Sequence, residues 1–493
     1  MGSSIALCVF IVVITGLFFL DRDNSVRTSK ALWLPVIWLW INGSRSISAW
    51  LGVGSQSDSP IDELVAGTLI VLGIIVIGRR RDVIFLLRRS WPIALYFSFC
   101  LVSLLWSDFP GHGFTRWIRA LGDLVMVMVL VTDAQPTAAL RRFFSRVGFL
   151  LLPTSVLLIK YYPNLGRGFD EWGLATNVGV TTNKNLLGVV TFVIGLGTIW
   201  QVLWLLRNRK QPNRARHLLA QCTLLFFGIL LLFTAHSATS GACFTLGAAF
   251  MVVTALPVFG RRPTAVHAVV FAMLLGGGLF VLLGGQGAAA QAVGRDATFT
   301  GRTAVWALVI PMAPNPMVGA GFENFWFGPR LEYLRSIYHP INEAHNGYIE
   351  VYLNLGLLGV GLVALILTQG YRSAVAAFRR DSALGSLLVA YILTAAIYSV
   401  TEAGFRMVSA MWIFLLLSVV AASRVTGVGK EMLQSRQELT DPTFGVTDRA
   451  PLGLNLTRMN RAEDRVRGVP GVERAGTTAR LHRPPLETAS RRW

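Results

Sequence analysis

Long apolar runs separated by short polar or basic connections fill most of the chain. Runs near 4–20, 31–51, 62–78, 91–106, 117–132, 147–160, 185–206, 218–235, 240–258, 265–284, 347–369, 384–400 and 405–422 approach the roughly 17–25 residues a helix needs to cross a bilayer. The pattern predicts an all-α polytopic membrane bundle of 12–14 spans, about 13. The run at 31–51 is the weakest, because Asn42, Gly43, Ser44 and Arg45 lie inside it. The first run has no basic segment before it and carries Asp21, Arg22 and Asp23 after it, which predicts an uncleaved span rather than a signal peptide.

Two stretches break the pattern. Residues 285–346 form a long polar and aromatic loop between two apolar runs, and its Trp, Phe, Tyr, Gly and Pro content argues for a functional segment rather than a disordered one. Residues 423–493 mix Arg with Asp, Glu, Pro, Gly and Thr without periodicity and read as a disordered cytoplasmic tail. The expected organisation is therefore membrane helices over 1–284, the loop at 285–346, further membrane helices over 347–422, and the tail.

Basic residues orient the bundle. Arg79, Arg80, Arg81, Arg88 and Arg89, then Arg141, Arg142 and Arg146, then Arg207, Arg209, Lys210, Arg214 and Arg216, then Arg261 and Arg262, then Arg372, Arg379 and Arg380 fall on alternate connections. That side is expected to be cytoplasmic. The loop at 285–346, with those at 107–116 and 161–184, then faces outward, and the C-terminus lies inside.

Composition agrees: of 493 residues 53% are hydrophobic and 14% charged, with a mean hydropathy of +0.55, which excludes an ordinary soluble domain. The net charge of +19 comes largely from those basic connections and the tail, so no nucleic-acid partner is expected; the lipid bilayer is the partner they imply. Cys8, Cys100, Cys222 and Cys243 all lie in apolar runs without a C-x-x-C pair and read as packing residues.

Candidate chemistry gathers on the outward side. Trp106-Ser107-Asp108-Phe109-Pro110 leads to Arg116 and Arg119, the latter at the start of a span, where a charge faces a cavity or snorkels to the interface. Gly179-Val180-Thr181-Thr182 leads into Asn183, Lys184 and Asn185 at a helix start; this suits a phosphate, or simply an N-cap with an interfacial lysine. His236-Ser237-Ala238-Thr239-Ser240-Gly241 is a tight turn of small hydroxyl residues. In the long loop, residues 303–310 after Arg302 are apolar enough for a short helix on the membrane surface. His345 ends the loop at the outer boundary, where an imidazole titrating near neutral pH can act as general base; His339 and Glu343 are weaker candidates. No H-E-x-x-H, paired-Cys or Asp-rich pattern predicts a metal.

In order and spacing, Thr300-Gly301-Arg302-Thr303 with Trp306, Pro316-Met317-Val318-Gly319-Ala320-Gly321-Phe322, Ala344-His345-Asn346-Gly347-Tyr348-Ile349-Glu350 and Leu355-Gly356-Leu357-Leu358-Gly359 resemble the O-antigen ligase and Wzy-type polymerase superfamily. Gly43-Ser44-Arg45-Ser46, the motif at 106–110, Leu152-Pro153-Thr154-Ser155 and residues 180–188 extend the likeness over roughly 31–422, nearest to exopolysaccharide polymerases. The resemblance implies a GT-C-like enzyme of the bacterial cytoplasmic membrane. It would move a sugar chain from undecaprenyl pyrophosphate to an acceptor hydroxyl on the outer face, with inversion and without cofactor or metal. His345 would take the proton and Arg302 the pyrophosphate, with Asn183, Asn185, Trp306, Glu343 and Asn346 around the substrate. Chain-length regulators and export proteins are the expected protein partners. Ligases of the superfamily carry a second essential arginine in the turn aligned with 237–240, where this chain has none. Lys184, then Arg119, Arg116 and Arg45, are the candidates to replace it. Transfer of finished glycan to lipid A core is the second reading, and passive transport of the lipid-linked precursor the third. A transporter would carry polar groups near the bilayer midplane, whereas here they gather at its edge.

Overall fold

The computed structural model describes residues 2–23, 27–53, 59–169, 173–282, 299–337 and 341–440. They are helical almost throughout, apart from connections and one antiparallel hairpin that pairs Arg167–Phe169 with Ala175–Asn177. Among these residues eight helices are long and apolar enough to cross a membrane, or nine if the pair Val83–Arg89 and Trp91–Trp106, bent by 86°, is one broken span. Shorter apolar helices at Ala238–Thr254 and Ala265–Gly276 occupy two further predicted runs. The bundle is layered: Lys184–Arg207, Ser382–Thr401 and Ala410–Gly427 lie at its centre, whereas Ser3–Leu20 and Pro60–Gly78 are only 11% and 22% buried. Phe144, Trp200, Tyr391, Trp412 and Phe414 fill the middle, while Val12, Phe19, Leu64, Phe226 and Phe233 point outward. Apolar side chains on both surfaces are what a bundle solvated by lipid requires.

The run at 31–51 is not one span. Trp33–Asn42 is a ten-residue helix, roughly 15 Å long and about half a bilayer core. It stops at Gly43, and a separate turn of helix, Ile47–Trp50, starts where the Ser46 side chain accepts a hydrogen bond from Ala49 N–H. Polar backbone groups cause the break: Arg45 N–H is drawn sideways to Val180 O at 3.0 Å. A second correction concerns the tail, because the last helix continues from Ala410 to Thr440. Ser423 and Thr426 are buried, bonded to Ser90 Oγ at 3.1 Å and Arg89 Nε at 3.3 Å. Residues 441–493 lie outside the described residues.

The two ends of the helices differ. At one end basic connections meet each other: Arg80 approaches Asp133 at 3.9 Å, Arg424 approaches Asp82 at 3.4 Å, and Arg380 donates to Val425 O at 2.7 Å. At the other end the long loop is seated. Helices Phe299–Val309 and Pro329–Ile337 close with the chain between them over a small core of Val309, Ala320, Phe325, Leu334, Ile341, Ala344 and Leu353. The expected helix over 303–310 is thus present, within a loop that packs its own core.

Two of the sequence motifs anchor this loop to the bundle by meeting each other. The helix Gly347–Phe378 is broken at Gly356, where φ is 64° and ψ −165°. Its Leu357 and Leu358 N–H groups bond Pro316 O at 2.8 Å and Met317 O at 3.1 Å, and Leu353 O accepts from Ala320 N–H at 3.0 Å. The loop run 316–321 thereby replaces helix hydrogen bonds that the break leaves unmade. Residues 103–109 hold the chain that follows this run from the other side. Phe109 N–H donates to Asn324 Oδ1 at 3.0 Å, Phe322 N–H to Ser103 Oγ at 2.9 Å, and Arg330 pairs with Asp108 at 3.1 Å.

Candidate active site

The turn joining Ser382–Thr401 to the last helix carries Glu402 and Arg406 to the end of the long loop. Gly347 N–H donates to Glu402 O at 3.0 Å, and Asn346 Nδ2 donates to Val400 O at 2.9 Å. Around this junction charges alternate. Arg302 donates to Thr401 O and lies 3.0 Å from Glu402 Oε1. His345 Nδ1 is 3.6 Å from Glu402 Oε2 and 2.9 Å from Glu343 Oε1. Glu343 Oε2 is 3.4 Å from Arg406, which stands 3.8 Å from Glu323. Asn185 Nδ2 reaches Glu402 Oε2 at 3.5 Å.

A buried frame holds this row. Glu350, 5% exposed, accepts from Trp326 Nε1 at 2.7 Å and from Ala344 N–H. Trp306 Nε1 donates to Ala344 O at 2.7 Å, so both backbone polar groups of Ala344, the residue before His345, are fixed. His345 itself has φ of +50°, and Glu323 and Val408 have φ of +56° and +54°. Left-handed backbone at residues other than glycine costs roughly 1–3 kcal/mol each and concentrates at functional sites. Val408 N–H donates to Asp123 Oδ2 at 2.9 Å, which helps to hold that turn.

The pairing sets the protonation states. Burial would lower the His345 pKa, but the Glu343 and Glu402 carboxylates override it and push it up to about 10. Burial would raise Glu343, but His345, Arg406 and Arg302 override it and hold it at about 2. Arg406 is raised by Glu323, Glu350 and Glu343 against the opposing effect of burial. His345 therefore rests as an imidazolium at neutral pH, rather than titrating there as its position in the sequence suggests. The row contributes stability within a defined window. The Glu343 part is present above the unfolded value near 4.5 and lost as pH falls toward 2, and the His345 part is present below about 6.5 and lost as pH rises through 10.

Of the residues singled out by sequence, Arg302, Glu343, His345, Asn346, Trp306 and Asn185 come together here. Asn346 and Asn183 are N-caps: Asn346 Oδ1 accepts from Tyr348 and Ile349 N–H, and Asn183 Oδ1 from Leu186 N–H at 2.8 Å. Lys184 opens the helix that presents Asn185. Arg45 stands elsewhere, bonded to Leu165 O with its guanidinium 5.5 Å from the Trp50 ring centre. Arg116 and Arg119 lie on the helix Pro110–Val131, whose Pro110 occupies the first turn, and the charge of Arg119 acts on Asp62 and Asp123. The small turn at 237–240 touches the site through Thr239 Oγ1, 3.1 Å from Thr401 Oγ1. His339, Asp170 and Gly294-Arg295-Asp296 lie outside the described residues.

Sequence reading missed Glu402, Arg406, Glu323 and Glu350. The signal for the first two was available: an acid and a base four apart, in a connection that alternation puts on the same side as the loop. A metal is conceivable on ligand type, since Glu343, His345 and Glu402 offer atoms within 4.8 Å of one another. Both carboxylates, however, already face guanidiniums that a cation would have to displace.

Residues 223–364, which include Arg302 and His345 but stop short of Glu402, match the family model described as O-antigen ligase. The likeness to the O-antigen ligase and Wzy-type superfamily holds. Over 301 residues the chain is 25% identical to the exopolysaccharide production protein ExoQ of Rhizobium meliloti (strain 1021), a match covering 55% of this chain and 62% of that protein. The chain thus spans less than two thirds of that relative's length.

Proposed function

We propose that this protein polymerises oligosaccharide units carried on undecaprenyl pyrophosphate into an exopolysaccharide, by one inverting displacement on the external face of the membrane. The observation that carries the proposal is the row Arg302, Glu402, His345, Glu343 and Arg406 at the loop end of the bundle. The opposite end is where basic connections gather, which supports an outward-facing site.

The acceptor oxygen forms a bond to the anomeric carbon while the bond from that carbon to the pyrophosphate oxygen breaks, and its electron pair leaves with the lipid pyrophosphate. Arg302 receives the developing negative charge through paired N–H donors. Arg406 is the second cation of the row and takes the place left open by the turn at 237–240. With Nδ1 facing Glu343, the Nε2 atom of neutral His345 accepts the hydroxyl proton, and the carboxylates stabilise the imidazolium that results. The donor ester supplies the driving force, so no nucleotide is used. Transfer of finished glycan to another acceptor remains the second reading, because the matching family model is described as O-antigen ligase.

Purified protein given lipid-pyrophosphate-linked repeat units should produce longer chains together with free undecaprenyl pyrophosphate. Intact units crossing a vesicle membrane without chain growth would refute the enzyme. Offering a lipid core as the competing acceptor separates ligase from polymerase.

Protonation gives a second prediction. Since His345 must be neutral to accept a proton, kcat/KM should rise with pH until about 10. Glu343→Gln removes one of the carboxylates that raise this pKa, so the limb should shift by at least about one unit to lower pH. An unchanged limb in the variant would remove His345 from the base role.

A further inference from the structure

A cavity at the end of the bundle opposite the charged row is lined by Arg89, Trp91, Thr368, Gln369, Arg372 and Ser373 among others, and among the described residues no acidic one lines it. It lies where the helix Val83–Arg89 turns by 86° into Trp91–Trp106, against the far part of the helix Gly347–Phe378. Beyond the break at Gly356 the helix runs 16 residues to Arg372 (372 − 356), roughly 24 Å at 1.5 Å per residue. Arg372 opens the basic connection that continues with Arg379 and Arg380, and Arg89 belongs to another, so the cavity sits where basic connections gather, at the headgroup level of the leaflet opposite the row. Trp91, 48% exposed, is the residue type that settles at that level.

We propose that this cavity binds the headgroup of an anionic phospholipid that carries a free hydroxyl, such as phosphatidylglycerol. Charge supplies the first half of the argument. Arg89 uses Nε on Thr426 at 3.3 Å, and Arg372 is exposed and has no hydrogen-bond or ion-pair partner among the described residues. Two guanidiniums facing one cavity without a carboxylate suit a phosphodiester. Gln369 supplies the second half. Its Nε2 donates to Arg89 O at 2.9 Å, which fixes the amide, and its Oε1 is buried without a donor. A buried acceptor of that kind is costly unless a donor arrives. A phosphodiester has no proton to give, whereas a glycerol headgroup has hydroxyls, so the pair of arginines and the glutamine together select an anionic lipid with a donor.

The test uses the full chain in mild detergent, with lipid retention followed by native mass spectrometry against phosphatidylglycerol, phosphatidylmethanol, phosphatidylcholine and undecaprenyl phosphate. Phosphatidylglycerol should be retained most, and Arg372→Gln should weaken it about fivefold, the effect of one basic residue at an anionic headgroup. Gln369→Leu should abolish an approximately fivefold preference for phosphatidylglycerol over phosphatidylmethanol while leaving binding of the latter intact. Equal retention of phosphatidylcholine, or tighter binding of undecaprenyl phosphate than of phosphatidylglycerol, would overturn the assignment. So would an Arg372→Gln protein that unfolds at the wild-type temperature and holds the lipid as firmly.

Discussion

Arg302→Ala is expected to slow glycosyl transfer by about 10²–10³-fold, the usual consequence of removing one donor from a site where negative charge develops. The substitution does two things. It takes away the guanidinium proposed to meet the pyrophosphate, and it leaves Glu402, 6% exposed, without its partner at 3.0 Å. Arg302→Lys separates them, because an ammonium preserves the charge opposite Glu402 but loses the planar fork. The lysine variant should therefore retain expression and thermal stability close to wild type while losing at least about tenfold in kcat. Release of undecaprenyl pyrophosphate from lipid-linked oligosaccharide is the measurement. Transfer by the alanine variant within threefold of wild type would mean that Arg302 is an anchor for the Thr401-Glu402 turn and nothing more.

Gly356→Ala should have the largest effect on the fold. A Cβ at that position would lie 2.2 Å from Met317 C and 2.3 Å from Val318 N, backbone atoms that cannot turn aside. The position also has φ of +64°, where a side chain costs roughly 1–2 kcal/mol, and forced overpacking adds about 1–3 kcal/mol. Either the loop run 316–321 lifts from the helix or the helix straightens and discards those bonds. Expected readouts are a lower thermal midpoint, faster proteolysis within 299–337, and loss of transfer although no charged residue has changed. A variant with wild-type proteolysis and midpoint would show that the break is not held by this contact. Gly361→Ala is the control, since nothing lies within 4 Å of a Cβ there.

The membrane character and most of the helices were legible because lipid imposes one requirement, long uninterrupted apolar runs, and the chain satisfies it nearly everywhere. Where polar backbone contacts govern, the runs misled. Residues 31–51 read as one span because their average is apolar, yet Arg45 N–H is taken by Val180 O and the helix stops at Gly43. The last helix runs past the end of its apolar pattern because Ser423 and Thr426 find hydroxyl and guanidinium partners rather than lipid. For the site, Arg302 and His345 stood out by residue type at a boundary, and their meeting at Glu402 was hidden by a separation of 57 positions (402 − 345). Glu350 closes a recognised motif, but its role was hidden for a different reason: within an apolar run a single acid looks like an exception, and only the Ala344 and Trp326 donors make it a support. The motifs at 316–321 and 355–359 were recognised separately, whereas their contact across the broken helix depends on the geometry of Gly356.

That contact separates two kinds of freedom in the loop. Gly321 is fixed at one end against Ser103 and Ser107, and His345 is fixed at the other by the Glu350 frame. Between them Glu323 and Glu343 belong to the charged row and Trp326 to its frame, so the outward face of the helix Pro329–Ile337, where Tyr333 and Ile337 are exposed, is the part whose composition can change without moving the reactive imidazole. Variation in what the protein accepts can accumulate on that face, while the positions that clasp the loop remain intolerant of change.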